Sequence, residues 1–117
     1  KGEDYFRELE EKITLNKLKL SSTVISLGGG AFINQKIRRV VLKKNISFWL
    51  NWSDQILLDR IRNSTKRPVA YKLSDDKLIE IIGERSSLYS KALYEIKCDN
   101  LSKKEIVKKV LRIYETY

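Results

Sequence analysis

Two short runs, TVISL (residues 23–27) and ISFWL (46–50), constrain this chain more than any other feature. Both are continuously apolar and β-branched or aromatic, not alternating apolar with polar. That pattern suits strands covered on both faces, which is the condition of a parallel sheet between two helical layers. A third candidate, YEIKCD (94–99), follows near the C-terminal end.

The segments between these runs carry helical spacing. Phe6, Leu9 and Ile13 predict an inward stripe on a helix over 3–16, and Ile37, Val40 and Val41 predict one over 34–44, with Asn34 as N-cap. Ser53 caps a helix carrying Leu57, Leu58 and Ile61. Ser74 opens a longer one with Leu78, Ile81, Ile82, Tyr89 and Ala92. The phrase SKKE (102–105) is a capping box before Ile106, Val107, Val110 and Leu111. Between Asn63 and Leu73 the periodicity stops, and the only proline, Pro68, lies there. A structureless connection of that length in a small domain reads as a functional lid. The expected architecture is therefore α/β, three layers α/β/α around a parallel sheet. It divides into a substrate-side helix (1–22), core strands and helices (23–61), a lid (62–74), and core helices with the last strand (75–117).

In such sheets ligands sit beyond the carboxyl ends of the strands. The first apolar run ends there in Gly28, Gly29 and Gly30, three of the five glycines in the chain. A bare backbone either turns where side chains cannot or lets something lie directly on it. A tight strand-to-helix turn without a ligand accounts for the triplet less well than a floor for a small molecule. The arginines point the same way, because a guanidinium makes two parallel charge-assisted bonds to a carboxylate or phosphate, although any one of them alone is more often a solvated charge or a structural ion pair. Arg7, Arg60, Arg67 and Arg85 are the candidates, while Arg38, Arg39, Arg62 and Arg112 read as ordinary surface positions. Arg7 has Glu3, Glu10 and Glu11 within two turns, so part of its charge goes into ion pairs.

Composition narrows the chemistry. There is no histidine, so imidazole is excluded as base, ligand or triad member. The single Cys98 allows no internal disulfide and reads as a buried thiol in a reducing compartment. A net charge of +9 favours anionic partners, yet the lysines are scattered over most helices without interleaved aromatics, which argues against a nucleic-acid groove. No apolar run reaches bilayer length, and the N-terminus has no signal-peptide character. Phe48 and Trp49 read as sheet packing.

Taken in order, GEDYFRELE, VISLGGGAF, FWL, Arg60 followed seven residues on by Arg67-Pro68, and ERSSLYSKA resemble shikimate kinase, over nearly the whole chain. The resemblance implies a P-loop kinase fold, ATP and shikimate as substrates, Mg²⁺ as cofactor, and transfer of the γ-phosphoryl group to the 3-hydroxyl of shikimate in aromatic amino acid biosynthesis. It further implies that Arg7 and Arg85 hold the shikimate carboxylate and that Gly28, Gly29 and Gly30 line the shikimate pocket. Glu10 would orient the substrate-side groups, Arg60 lie against adenine, Arg67 reach the transferring phosphates, and Ser26 pass near the metal. A cytoplasmic monomer without nucleic-acid or membrane partners follows.

One departure is large. The chain has no G-x-x-x-x-G-K-[ST], the loop whose backbone cradles phosphates. The resemblance places that loop and its strand, with a second strand, ahead of the GEDYFRELE phrase. The expectation is an incomplete P-loop fold with the two strands missing, unpaired strand edges beside the gap, and no catalysis by these residues alone. A gluconate or nucleotide kinase, or a non-catalytic anion- or nucleic-acid-binding module, are the alternative readings.

Overall fold

The computed structural model describes residues 2–64 and 72–117. The described residues form α1 (Gly2–Lys17), α2 (Gln35–Lys44), β1 (Phe48–Asn51), α3 (Asp54–Asn63), α4 (Asp75–Tyr89), β2 (Tyr94–Lys97) and α5 (Lys103–Thr116). The two strands pair in parallel, with Phe48 opposite Tyr94 and Asn51 opposite Lys97. Parallel pairing demands a long crossover, and α3 and α4 lie within it.

Capping chemistry sets most helix starts. Asn34 Oδ1 accepts from the amides of Lys36 (2.8 Å) and Ile37 (3.1 Å). Ser53 and Ser74 do the same for Ile56 and Lys77. At α5, Ser102 Oγ accepts from the Glu105 amide, and Glu105 Oε1 accepts from the Ser102 amide at 2.9 Å, a reciprocal capping box.

Two apolar clusters result. Leu18, Ala31, Phe32, Ile37 and Val41 form the first, which joins the end of α1 to the glycine corner and α2. Ile96, Cys98 and Ile106 form the second, between β2 and α5, with Phe48 and Trp52 against it. Phe48 also stacks on Tyr94 at 5.5 Å between ring centroids, so the aromatic cluster of ISFWL does pack the sheet. Cys98 is 1% exposed, and burial pushes its thiol pKa up.

The structure departs from the sequence reading in three places. Residues 23–27 are not a strand: Val24 is 99% exposed, and no backbone hydrogen bond joins this segment to another among the described residues. A β-prone run becomes a strand only when a neighbour supplies the ladder, and neither β1 nor β2 pairs with it. The apolar stripe of α1 is likewise uncovered, Phe6, Leu9 and Ile13 being about half exposed, because the apolar cluster reaches only Leu15 near its C-terminal end and Leu18 just past it. Arg38 and Arg62 are not plain surface residues. Arg38 Nη1 donates to the carbonyls of Phe32 and Ile33, and Arg62 donates to Asp75 Oδ1 and the Leu73 carbonyl.

Candidate functional site

The glycine corner is held from both sides. Its own backbone closes consecutive turns: the Ala31 amide donates to Gly28 O (3.1 Å), Ile33 to Gly30 O (3.2 Å) and Asn34 to Ala31 O (3.1 Å). The Arg38 guanidinium then ties down the carbonyls of Phe32 and Ile33 from α2. None of Gly28, Gly29 or Gly30 lies in the left-handed region, so backbone freedom is not what these glycines supply. They supply room.

From one side α1 brings Arg7. Glu11 Oε1 accepts from Asn34 Nδ2 at 2.9 Å, joining α1 to the start of α2. Arg7 Nε donates to Glu3 Oε1 (2.9 Å) and Nη1 to Glu10 Oε1 (2.8 Å), pairs one turn apart on one helix face. The two carboxylates raise the guanidinium's proton affinity above its already high value. The same guanidinium presses on Gly30: a Cβ there would meet Arg7 Nη1 and lie 2.9 Å from its Cζ. The other oxygen of Glu10 sits 3.8 Å from where a Cβ on Gly28 would be.

From the other side α4 brings Arg85 and Tyr89, four residues apart and so on one face. A Cβ on Gly29 would lie 3.2 Å from Arg85 Nη1 and 3.6 Å from Tyr89 Oη, and the Tyr89 hydroxyl donates to the Gly29 carbonyl. Between the two helices opens a hollow of about 290 Å³ lined by Arg7, Gly30, Ile33, Asn34 and Arg85. Two guanidinium groups, bare backbone and one aliphatic side chain make a receptor for a small anion with an apolar flank.

The structure thus brings Arg7, Glu10, Gly28, Gly29, Gly30 and Arg85 to one corner. Arg60 is not a lining residue of that hollow; its guanidinium lies 4.5 Å over the Trp52 ring. Ser26 is an exposed hydroxyl in the unpaired 23–27 segment. Arg67 and Pro68 lie outside the described residues, as does most of the expected lid. The residues at the corner that sequence reading did not single out are Tyr89, Glu11, Ile33, Asn34 as a lining residue, and Arg38. Only Tyr89 carried a signal, its four-residue spacing from Arg85.

Among the described residues no group of three His, Cys, Asp or Glu side chains comes together to hold a cation. No helix among the described residues is long and apolar enough to cross a membrane.

Known proteins resemble this arrangement. The family described as "Shikimate kinase" matches residues 1–115. The shikimate kinase of Bartonella quintana (strain Toulouse) is 33% identical over 117 residues, covering 99% of this chain and 56% of that protein. That of Sulfurihydrogenibium sp. (strain YO3AOP1) is 33% identical over 111 residues, 95% of this chain and 66% of that protein. The crystal structure of a shikimate kinase from Bacteroides thetaiotaomicron superposes with a TM-score of 0.76 at 29% identity, over 98% of this chain and 69% of that one. Helices around a parallel sheet, with this superposition, define the α/β fold class of the P-loop kinases. The chain belongs to the shikimate kinase family. It spans a little over half the length of the Bartonella relative.

Proposed function

We propose that these residues form the shikimate-gripping part of an ATP-dependent shikimate kinase, which phosphorylates the 3-hydroxyl of shikimate. The observation that carries the reading is the hollow in which Arg7 and Arg85 flank Gly30. Shikimate is a carboxylate on a hydroxylated ring. Its carboxylate takes bidentate bonds from the two guanidinium groups, its hydroxyls lie on the bare backbone of Gly28–Gly30, and its ring rests on Ile33. Glu10 shares Arg7 and borders Gly28, so it fixes the guanidinium and offers its second oxygen to a hydroxyl.

ATP is the phosphoryl donor in this reading. Arg60, backed by Trp52, forms a wall for adenine, and Arg67 neutralises charge on the transferring phosphoryl group, since phosphoryl transfer is mostly positioning and charge compensation. Mg²⁺ would supply the remaining positive charge, and Ser26 is the one candidate among these residues that would lie near it. The phosphate cradle does not come from these residues, which hold no Walker-type loop. The working enzyme is a cytoplasmic monomer.

Titrating the 117-residue chain with shikimate, followed by NMR, tests the grip. Saturable binding that gluconate does not reproduce, with no ATP-dependent phosphorylation of shikimate by this chain alone, is the expected result. Absence of shikimate binding removes the reading.

A further inference from the structure

Tyr89 has no role in the grip described above, yet its ring and its hydroxyl are both held beside it. Its ring lies 6.3 Å from Phe32 and 6.3 Å from Trp49, centroid to centroid, so core and sheet both hold it. Its hydroxyl donates to the Gly29 carbonyl. In a trans peptide the C=O and the following N–H point to opposite sides of the chain. With the Gly29 carbonyl turned to Tyr89, the Gly30 N–H is turned away from it. Gly30 lines the hollow, and among the described residues its N–H has no hydrogen-bond partner.

We infer that Tyr89 is a positioning residue: it locks the Gly29–Gly30 peptide so that the Gly30 N–H stands ready to donate to an oxygen of the anion in the hollow. A glycine-rich peptide left to itself rotates readily, and each lost orientation costs binding entropy when the ligand arrives. Tyr89 removes that freedom in advance. Because α4 carries Arg85 one turn earlier, one helix sets both the charged donor and the neutral one. The inference rests on the shikimate reading of the hollow.

Tyr89→Phe deletes the hydroxyl and keeps the ring. Tyr89→Leu removes the ring as well and shows what a purely structural loss looks like. With five glycines in the chain, ¹⁵N-glycine labelling makes the Gly30 amide easy to follow. Shikimate is titrated into wild type and both variants, and thermal stability is measured alongside. The expected result for Tyr89→Phe is affinity for shikimate weaker by about three- to tenfold, as for one lost hydrogen bond. The ligand-induced shift of the Gly30 amide shrinks, and the melting temperature stays close to wild type. Tyr89→Leu lowers the melting temperature as well. Wild-type affinity in Tyr89→Phe, or a Gly30 amide that does not respond to shikimate in the wild type, overturns the inference and leaves the arginine grip standing. Failure of the wild type to bind shikimate at all overturns both.

Discussion

Arg7 occupies the space that a side chain on Gly30 would need: its guanidinium lies against the glycine Cα, and Nη1 and Cζ both crowd the position of a Cβ. A residue on the first helix and one at the end of the apolar run are thereby made mutually dependent. The contact is with the far end of a long side chain, so a larger residue at 30 would push Arg7 aside and spare the backbone.

The three glycines are therefore unequal. Gly30→Ala should displace Arg7 and weaken shikimate binding about tenfold or more, as for a lost charged hydrogen bond, with circular dichroism unchanged. Gly28→Ala, whose added methyl would find its nearest neighbour, Glu10, 3.8 Å away and so displace no side chain, should weaken binding less than Gly30→Ala. Titrating the two variants checks the order; equal losses at 28 and 30 contradict it.

Arg85→Lys keeps the charge and loses the fork. The side chain is solvent-exposed, so the loss sits at the lower end of the range for charge-assisted bonds, roughly 1.5–2 kcal/mol. Isothermal calorimetry with shikimate reads it, and a lysine variant as tight as wild type removes the bidentate role.

Arg60 shows one face to Trp52 and has no ion pair among the described residues. In a Trp49→Phe background Trp52 is the only indole, and adenosine stacking on the free face should change its emission saturably. Trp52→Ala should weaken adenosine binding, measured by NMR, by about two- to fivefold, the worth of an exposed cation–π contact. Adenosine that leaves both Trp52 emission and the Arg60 side-chain signals unmoved excludes the adenine wall.

The capping box makes α5 acid-sensitive. Bonds from the Ser102 amide and hydroxyl hold the Glu105 pKa below the ordinary glutamate range. A carboxyl whose folded pKa is depressed contributes stability above its unfolded pKa and loses it as pH falls through the folded value. Melting temperature should thus decline on acidification below the usual glutamate range, and Glu105→Gln should flatten that part of the curve. Identical profiles for the two proteins would rule the cap out as the source.

Cys98 is nearly inaccessible and its pKa is raised chiefly by burial, so little thiolate exists at neutral pH. Ellman's reagent should react slowly with the native chain and fast in denaturant; equal rates would show an open β2–α5 seam.

Local chemistry made much of this molecule readable from its residues. Asn34, Ser53, Ser74 and Ser102 each start a helix where their side chains predict it, because a cap is satisfied within three residues and needs no distant partner. The packing of Phe48 on Tyr94 and the burial of Cys98 follow from apolar runs that do find neighbours. Residues 23–27 had the same composition and stayed outside the sheet, since a strand exists only in the ladder another strand completes. That arginines meet an anion on the glycine floor could be read from residue chemistry, but which two meet Gly30 was anticipated only through family resemblance. Three segments far apart in sequence converge there, and no periodicity measures that distance. Why the glycines are glycine was decided by the tertiary structure alone: the backbone angles are ordinary, and what forbids a side chain is an arginine arriving from another helix.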